Sequence, residues 1–534
     1  MFYVQPPLRA FFLAGVLLAV LFLASDRTNP TFAADPPGVI IDRSPDPARV
    51  YIGSPTLAVL PDGSYVAAHD WFGPGTTFDT TAVLRSEDRG ETWKQVATLD
   101  GQFWSNLFVH RENLYILGCG KRYGPMVIRR SDDGGRTWTT PTDSKTGVLR
   151  DDTEYHCAPM PVVAHGGRIW RTMEDNLAGG GWGYHFRALV CSAPEDADLL
   201  DASNWTATEP LASPDWVPRG WLEGNAVVTP DNRIVNILRV GQAGSEQAVI
   251  LDVSPDGKKL SCDRDTALVP FPGGSNKFTI RYDPKSGMYW SLVNKEANPK
   301  AYRNVLTLTA SKDLRNWEVR TIILRHYDSR NHAWQYPDWQ FDGDDLIVAS
   351  RTAWDGSHRA HDANFLTFHR IENFRDLTMD DAPDWLGTPP PPEVQLRDVT
   401  LGGLKHETDA LRIEGTGVRL ADFDNGKPSQ ANRTYTWQSI PDRFRGWKFT
   451  QTAGGERAML SVTARRDGEI FITVAPDQPT IDTTGFTRIE DSEFHYTDGG
   501  RTKMAIFRRE VQADETVIIP QGNWAGGLLL IPPR

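Results

Sequence analysis

Ser86-Glu87-Asp88-Arg89-Gly90-Glu91-Thr92-Trp93 and Ser131-Asp132-Asp133-Gly134-Gly135-Arg136-Thr137-Trp138 match almost residue for residue, and Ser131 follows Ser86 by 45 residues. That interval is the period of a propeller blade. A decayed copy reads Ser311-Lys312-Asp313-Leu314-Arg315-Asn316-Trp317, and a weaker one Asp201-Ala202-Ser203-Asn204-Trp205. Each good copy follows an aliphatic or β-branched strand, Thr81-Ala82-Val83-Leu84 or Met126-Val127-Ile128. The chemistry of the repeat is that of a hairpin turn: the Asp carboxylate accepts from backbone N–H groups, Gly supplies positive φ, and Trp packs down as a staple. It is a structural device rather than a catalytic one.

Outward from these turns, strand-like runs recur with Asp-Gly or Asp-Asn turns. They cover Ser54 to Ala68, Leu114 to Arg130, Met160 to Val190, Asn225 to Leu251, Lys277 to Leu308 and Asp344 to Arg370. Helical periodicity is scarce. Six such groups predict an all-β six-bladed β-propeller over residues 40–384. Pro389-Pro390-Pro391-Pro392 predicts a stiff linker over 385–392. From 393 to 534 strands resume, as in Met459-Leu460-Ser461-Val462 and Ile470-Phe471-Ile472-Thr473-Val474. A second, smaller C-terminal β-sandwich domain is expected there. Sugar binding and packing beside the propeller are equal expectations for it.

Bulk properties narrow the function. The chain has 534 residues, which suits two domains. Its net charge of −12 argues against a nucleic-acid partner, since that binding neutralises phosphates with Lys and Arg. Trp is frequent, 18 against 8 Met, which suits turn-rich β folds and faces that meet sugar rings. Arg9 precedes an apolar run from Ala10 to Ala24, the length of a signal-peptide core and short for a spanning helix. Residues 1–34 are expected to be a signal peptide, or an uncleaved anchor, and the protein to be exported to the periplasm, cell surface or medium. No membrane partner is expected beyond that segment. Cys119, Cys157, Cys191 and Cys262 show neither a disulfide framework nor a zinc pattern. They are expected to be mostly buried thiols, with one bridge allowed. No metal or cofactor is expected.

Over residues 45 to about 370 the chain resembles the sialidase superfamily, whose Asp boxes the repeated turns match. The resemblance implies an exo-acting glycoside hydrolase with a Tyr nucleophile, activated by a carboxylate. It also implies Arg residues that grip a sugar carboxylate bidentately. Trp221-Leu222-Glu223-Gly224-Asn225, followed by the strand ending at Arg239, looks like the segment of the activating acid and one gripping Arg. That implies Glu223 as activator and Arg239 as substrate-binding. The stretch Asn298-Pro299 to Tyr302-Arg303-Asn304 implies Arg303 as another gripping residue, and Tyr336-Pro337-Asp338-Trp339 implies Tyr336 as the nucleophile.

Two places depart from the family pattern. Its first gripping Arg belongs where this chain reads Tyr51-Ile52-Gly53-Ser54-Pro55. Its acid Asp precedes the first box, where Asp70 and Asp79 are both candidates for the proton donor; His69-Asp70-Trp71 suits a pocket wall and makes Trp71 a candidate contact. His156, in Glu154-Tyr155-His156-Cys157, and His361, in His361-Asp362-Ala363-Asn364, are further candidates. A His and a Tyr facing one pocket could also abstract a proton beside a uronate carboxylate. The expected partner is a glycan or oligosaccharide, with sialic acid or another, uronic sugar at its end. A uronic-acid lyase or His-dependent glycosidase on the same propeller, and a non-catalytic glycan-binding propeller, are the competing readings.

Overall fold

The computed structural model describes residues 35–181, 183–295, 303–387, 401–454, 458–476, 481–498, 502–521 and 527–533. The N-terminal apolar run, Tyr302 and the four-proline stretch lie outside the described residues. The chain divides into two compact units, Met1–Asp384 and Trp385–Arg534. The described residues contain strands and three 3-10 turns but no α-helix.

The first unit is a six-bladed β-propeller. Blade one pairs Tyr51–Val59, Tyr65–Phe72, Thr80–Ser86 and Lys94–Asp100 in order, and blade two pairs Phe103–His110, Asn113–Cys119, Met126–Ser131 and Val148–Arg150. Blade three starts at Tyr155–His156, blade four at Trp221–Val228 and blade five at Thr279–Asp283. Blade six runs Ala333–Asp342, Asp345–Ala353 and Phe365–Ile371, and its fourth strand is Val39–Arg43, from the start of the unit. Val39 pairs with Phe368, so the first strand closes the ring on the last blade.

Adjacent blades are joined by apolar seams. Leu57, Ala67 and Leu84 of blade one pack with Ile347, Ala349 and Leu366 of blade six. Leu117 and Ile128 of blade two pack with Ile169 and Leu189 of blade three. The two good turns and the decayed copy at Ser311–Trp317 reinforce these seams through one hydrogen-bond pattern. Asp88 accepts from Thr92 N at 2.9 Å, Asp133 from Thr137 N at 2.9 Å and Asp313 from Asn316 N at 2.8 Å. The Trp indole closes each turn, Trp93 Nε1 on Gly90 O, Trp138 Nε1 on Gly135 O and Trp317 Nε1 on Leu314 O. The Thr92 hydroxyl and N–H hold the Asp88 carboxyl down at about 2. Trp93 stacks on Phe368 of blade six, Trp138 packs on the blade one–two seam, and Trp317 meets Phe271 of blade four. Each Trp thus ties its blade to the preceding one. Asp201 does not repeat the pattern; it caps a 3-10 turn, Ala202–Asn204, by accepting from Ser203 N.

Polar side chains sew the inner strands together where apolar contact ends. Asp338 of blade six accepts from Thr56 Oγ1 at 3.0 Å and Leu57 N at 2.9 Å. Thr56 in turn accepts from Leu107 N of blade two at 2.9 Å. Asn225 of blade four accepts from Ile280 N of blade five at 3.0 Å, and Thr279 donates to Pro337 O of blade six at 2.9 Å. Backbone groups that a bulged strand leaves unpaired must find partners when buried, and these side chains supply them.

The second unit is a β-sandwich. One sheet holds Gly403–Glu407, Leu411–Thr416, Met459–Ala464 and Thr516–Ile518; the larger sheet includes Val418–Phe423, Trp447–Thr452, Gly468–Val474, Lys503–Val511 and Leu528–Ile531. Ile413 and Val462 of the first sheet meet Ile472, Phe507 and Leu529 of the second in the core. All four cysteines are unbridged.

Candidate active site

Four of the six inner strands break register near their N-terminal ends, between Gly53 and Thr56, Phe103 and Asn106, Leu222 and Asn225, and Gln335 and Asp338. Inside each break stands a non-glycine residue at positive φ: Ser54 at 40°, Trp104 at 52°, Glu223 at 56° and Tyr336 at 52°. A bulge inserts one residue, bends the strand and re-aims a side chain. All four re-aimed residues line one axial cavity of about 510 Å³. Backbone held in this sparsely populated region clusters at functional sites. Gly224 completes the blade-four bulge, since a Cβ there would collide with the Asn236 side chain.

At the centre of the cavity Tyr336 Oη donates to Glu223 Oε1 at 2.7 Å, across 113 residues of chain. The other Glu223 oxygen meets Arg239 Nε at 2.6 Å. Burial alone would raise the Glu223 carboxyl; the Arg239 guanidinium and the Tyr336 hydroxyl outweigh it and hold it below its ordinary value. Burial and the adjacent Glu223 charge push the Tyr336 hydroxyl up. In the resting site the proton therefore stays on the tyrosine, hydrogen-bonded to an ionised acceptor.

Arg303 lies 5.4 Å from the Tyr336 ring centre and is braced by Asn276 Oδ1 at 2.9 Å and Gln335 Oε1 at 2.7 Å. A third guanidinium, Arg351, sits 5.2 Å from the same ring and donates to His361 O. Sequence reasoning missed it. It comes from the second strand of blade six, whereas the segment Tyr51–Pro55 contributes Ser54 to the wall. The available signal was an Arg ending the apolar run Leu346-Ile347-Val348-Ala349-Ser350. Burial holds the Arg351 guanidinium down at about 10.

Asp70 lines the cavity from blade one. It accepts from Thr81 Oγ1 at 2.8 Å and from Trp104 N at 2.6 Å, and burial drives its carboxyl up to about 6. Asp79 is not brought to the cavity: its carboxylate is taken by Thr77 and Thr80 within its own loop. Trp71 is not brought there either. Neighbours on a strand point to opposite faces, so with Asp70 turned to the cavity Trp71 packs on the blade one–six seam, edge-on to His69 at 4.5 Å. His156 and His361 both reach the cavity wall. His156 bonds Glu174 through Nδ1 at 3.1 Å, and His361 bonds Asp362 through Nδ1 at 2.7 Å. Burial and the Arg351 charge press the His361 ring down to about 4. Arg219, close to Glu223 in sequence, makes no ion pair among the described residues; Glu223 takes Arg239 instead.

The fold and site together define a β-propeller with an axial cluster of tyrosine, carboxylates and arginines. No family model matches the chain, and no curated protein matches it. Among solved structures it is similar to a Penicillium chrysogenum alpha-L-arabinanase complexed with arabinobiose, at 15% identity and a TM-score of 0.42, over 64% of this chain and 98% of that one. It is similar to a Hadza microbial sialidase at 14% identity and 0.45, over 63% and 68%. It is also similar to a Trypanosoma rangeli sialidase in complex with sialic acid at 12% identity and 0.42, over 90% and 91%.

Proposed function

We propose that this protein is an exo-acting glycoside hydrolase that removes a terminal acidic sugar from a glycan through a tyrosine nucleophile. The observation that carries this reading is the 2.7 Å bond from Tyr336 Oη to Glu223, ringed by Arg239, Arg303 and Arg351. A neutral hydroxyl suits a carboxylated sugar, because an anionic nucleophile would be repelled by the sugar's own charge. The three guanidinium groups supply donors for that carboxylate. In the reaction Tyr336 Oη attacks the anomeric carbon while its proton passes to Glu223. Asp70 protonates the leaving oxygen, and the glycosidic bond breaks. Water then attacks the anomeric carbon and gives its proton to Asp70; the bond to Tyr336 Oη breaks, Glu223 returns the proton to the phenolate oxygen, and the sugar leaves with retained configuration. The apolar segment before residue 34 supports export, so the substrate is a glycan outside the cytoplasm.

The test is Tyr336→Phe. Turnover of a responsive glycoside is expected to vanish while binding of the product sugar persists; near-normal turnover rules the nucleophile out. Analysis of products from mixed glycans separates hydrolysis from elimination: new reducing sugar supports this reading, and unsaturated uronate absorbance supports a lyase that uses His156 or His361 beside Tyr336.

A further inference from the structure

Every aromatic residue that stands at positive φ among the described residues lines the axial cavity: Phe78 at 59°, Trp104 at 52°, Tyr123 at 55° and Tyr336 at 52°. Bulky side chains rarely occupy this region of backbone space. The reaction above uses only Tyr336. The other three belong to blades one and two, whereas Arg239, Arg303 and Arg351 come from blades four, five and six, so the cavity has a cationic half and an aromatic half.

The aromatic half is assembled as a unit. The Trp104 and Tyr123 rings stand 5.3 Å apart at 76°. Arg122 binds Phe78 O through its backbone N–H at 2.8 Å, and its guanidinium lies 5.3 Å from the Phe78 ring centre and 5.4 Å from that of Tyr123. The guanidinium is exposed at the cavity wall and makes no ion pair among the described residues. Asp70 joins this half by accepting the Trp104 N–H. A proton donor must reach the oxygen of the departing group. The departing sugar therefore lies on the aromatic side, over rings suited to its C–H face and beneath a cation with no protein counter-charge.

We propose that Phe78, Trp104 and Tyr123, with Arg122 between the first and last, form a leaving-group subsite for a sugar that carries an anionic substituent. This rests on Asp70 as proton donor, and it extends the substrate class from one acidic sugar to two adjacent charged ones. A carboxylate and a sulfate share the chemistry that Arg122 recognises.

Titration of the intact protein with galactose, galactose 6-sulfate and galacturonate, followed by ligand-observed NMR, tests it. At least one of the two anionic sugars is expected to bind about tenfold more tightly than galactose, and which one identifies the substituent. Arg122→Gln should cut the preference about tenfold, over and above what the opposite half contributes. Tyr123→Ala should weaken all three, and Lys145→Gln, outside the cavity lining, should leave the preference intact. The proposal is overturned if the three sugars bind alike or not at all, if Arg122→Gln keeps the full preference, or if Lys145→Gln abolishes it. Binding needs no turnover, so a preference that persists in a protein inert on all glycosides would sink the hydrolase reading and leave the anionic site standing.

Discussion

Glu223 and Tyr336 hold the left-handed backbone at φ 56° and 52°, a conformation that costs about 1–3 kcal/mol for a non-glycine residue. What the strain achieves is the meeting of a hydroxyl and a carboxylate at 2.7 Å, and the buried Asp70 lines the same cavity as the donor of the proposed reaction. Its carboxyl is raised to about 6, so the folded chain keeps a proton that the unfolded chain would release. The linked stability is complete below the ordinary carboxylate range and is lost as pH rises through about 6. A proton donor follows the same titration. The kcat/KM profile should therefore decline above about pH 6, and Asp70→Asn should remove that limb together with most of the rate. A profile flat to pH 8 would assign the donor elsewhere. Loss of one charge-assisted grip costs about 1.5–3 kcal/mol, so Arg351→Gln should raise KM for an acidic substrate about 10- to 100-fold with a smaller effect on a neutral analogue. Glu223, Arg239, Arg303 and Tyr336 were legible as candidates because each sits in a local motif. Arg351 was not, because nothing in its own strand says which residues it faces across the ring.

At the scale of the element, the recurrent device is a bulge near the start of an inner strand, backed by a polar side chain that bonds the neighbouring blade. Asp338 is heavily used, accepting from Thr56, Leu57 N, Trp339 N and Arg281. Asp338→Ala removes an acceptor from three buried donors, Thr56, Leu57 N and Trp339 N, and leaves Arg281 without its counter-charge, a loss of about 3–5 kcal/mol. A fall of several degrees in the unfolding temperature is expected, and an unchanged melting curve would show that the inner strands do not depend on this bond. The Ser-x-Asp turns act on the outer side of the blade in the same sense. Their hydrogen bonds are within the turn, so the turn could be read from eight residues. The destination of each Trp, on the preceding blade, could not, because Phe368 and Phe271 are distant in sequence from Trp93 and Trp317. Asp70 and Trp71 show the same limit at closer range: adjacency in sequence suggested a shared wall, and the alternation of a strand sends them to opposite faces.

The whole propeller is held shut by its first strand. Val39–Arg43 lies outermost in blade six, with Ile41 buried on the seam with blade one. A carboxylate placed there cannot be solvated or paired, so Ile41→Asp should open the ring, expose a strand edge and lower the unfolding temperature by more than Asp338→Ala does. Equal melting of the variant and the parent would contradict closure through this strand. The same scale explains how a chain of net charge −12 can present a cationic cavity. Arg239, Arg303 and Arg351 are drawn from three blades and concentrated on the axis, while the acidic surplus is distributed over the rest of the chain. Sequence by itself determined the blade turns, the β class and the residues that local motifs mark, because those depend on hydrogen bonds and periodicities a few residues long. Only the tertiary structure decided ring closure, the recruitment of Arg351, the exclusion of Asp79 and Trp71, and the division of the cavity into cationic and aromatic halves. Ring closure, the recruitment of Arg351 and the two halves of the cavity depend on which strands become neighbours in the ring, which is settled by packing between segments distant in sequence, whereas Asp79 and Trp71 are turned away by the geometry of their own loop and strand.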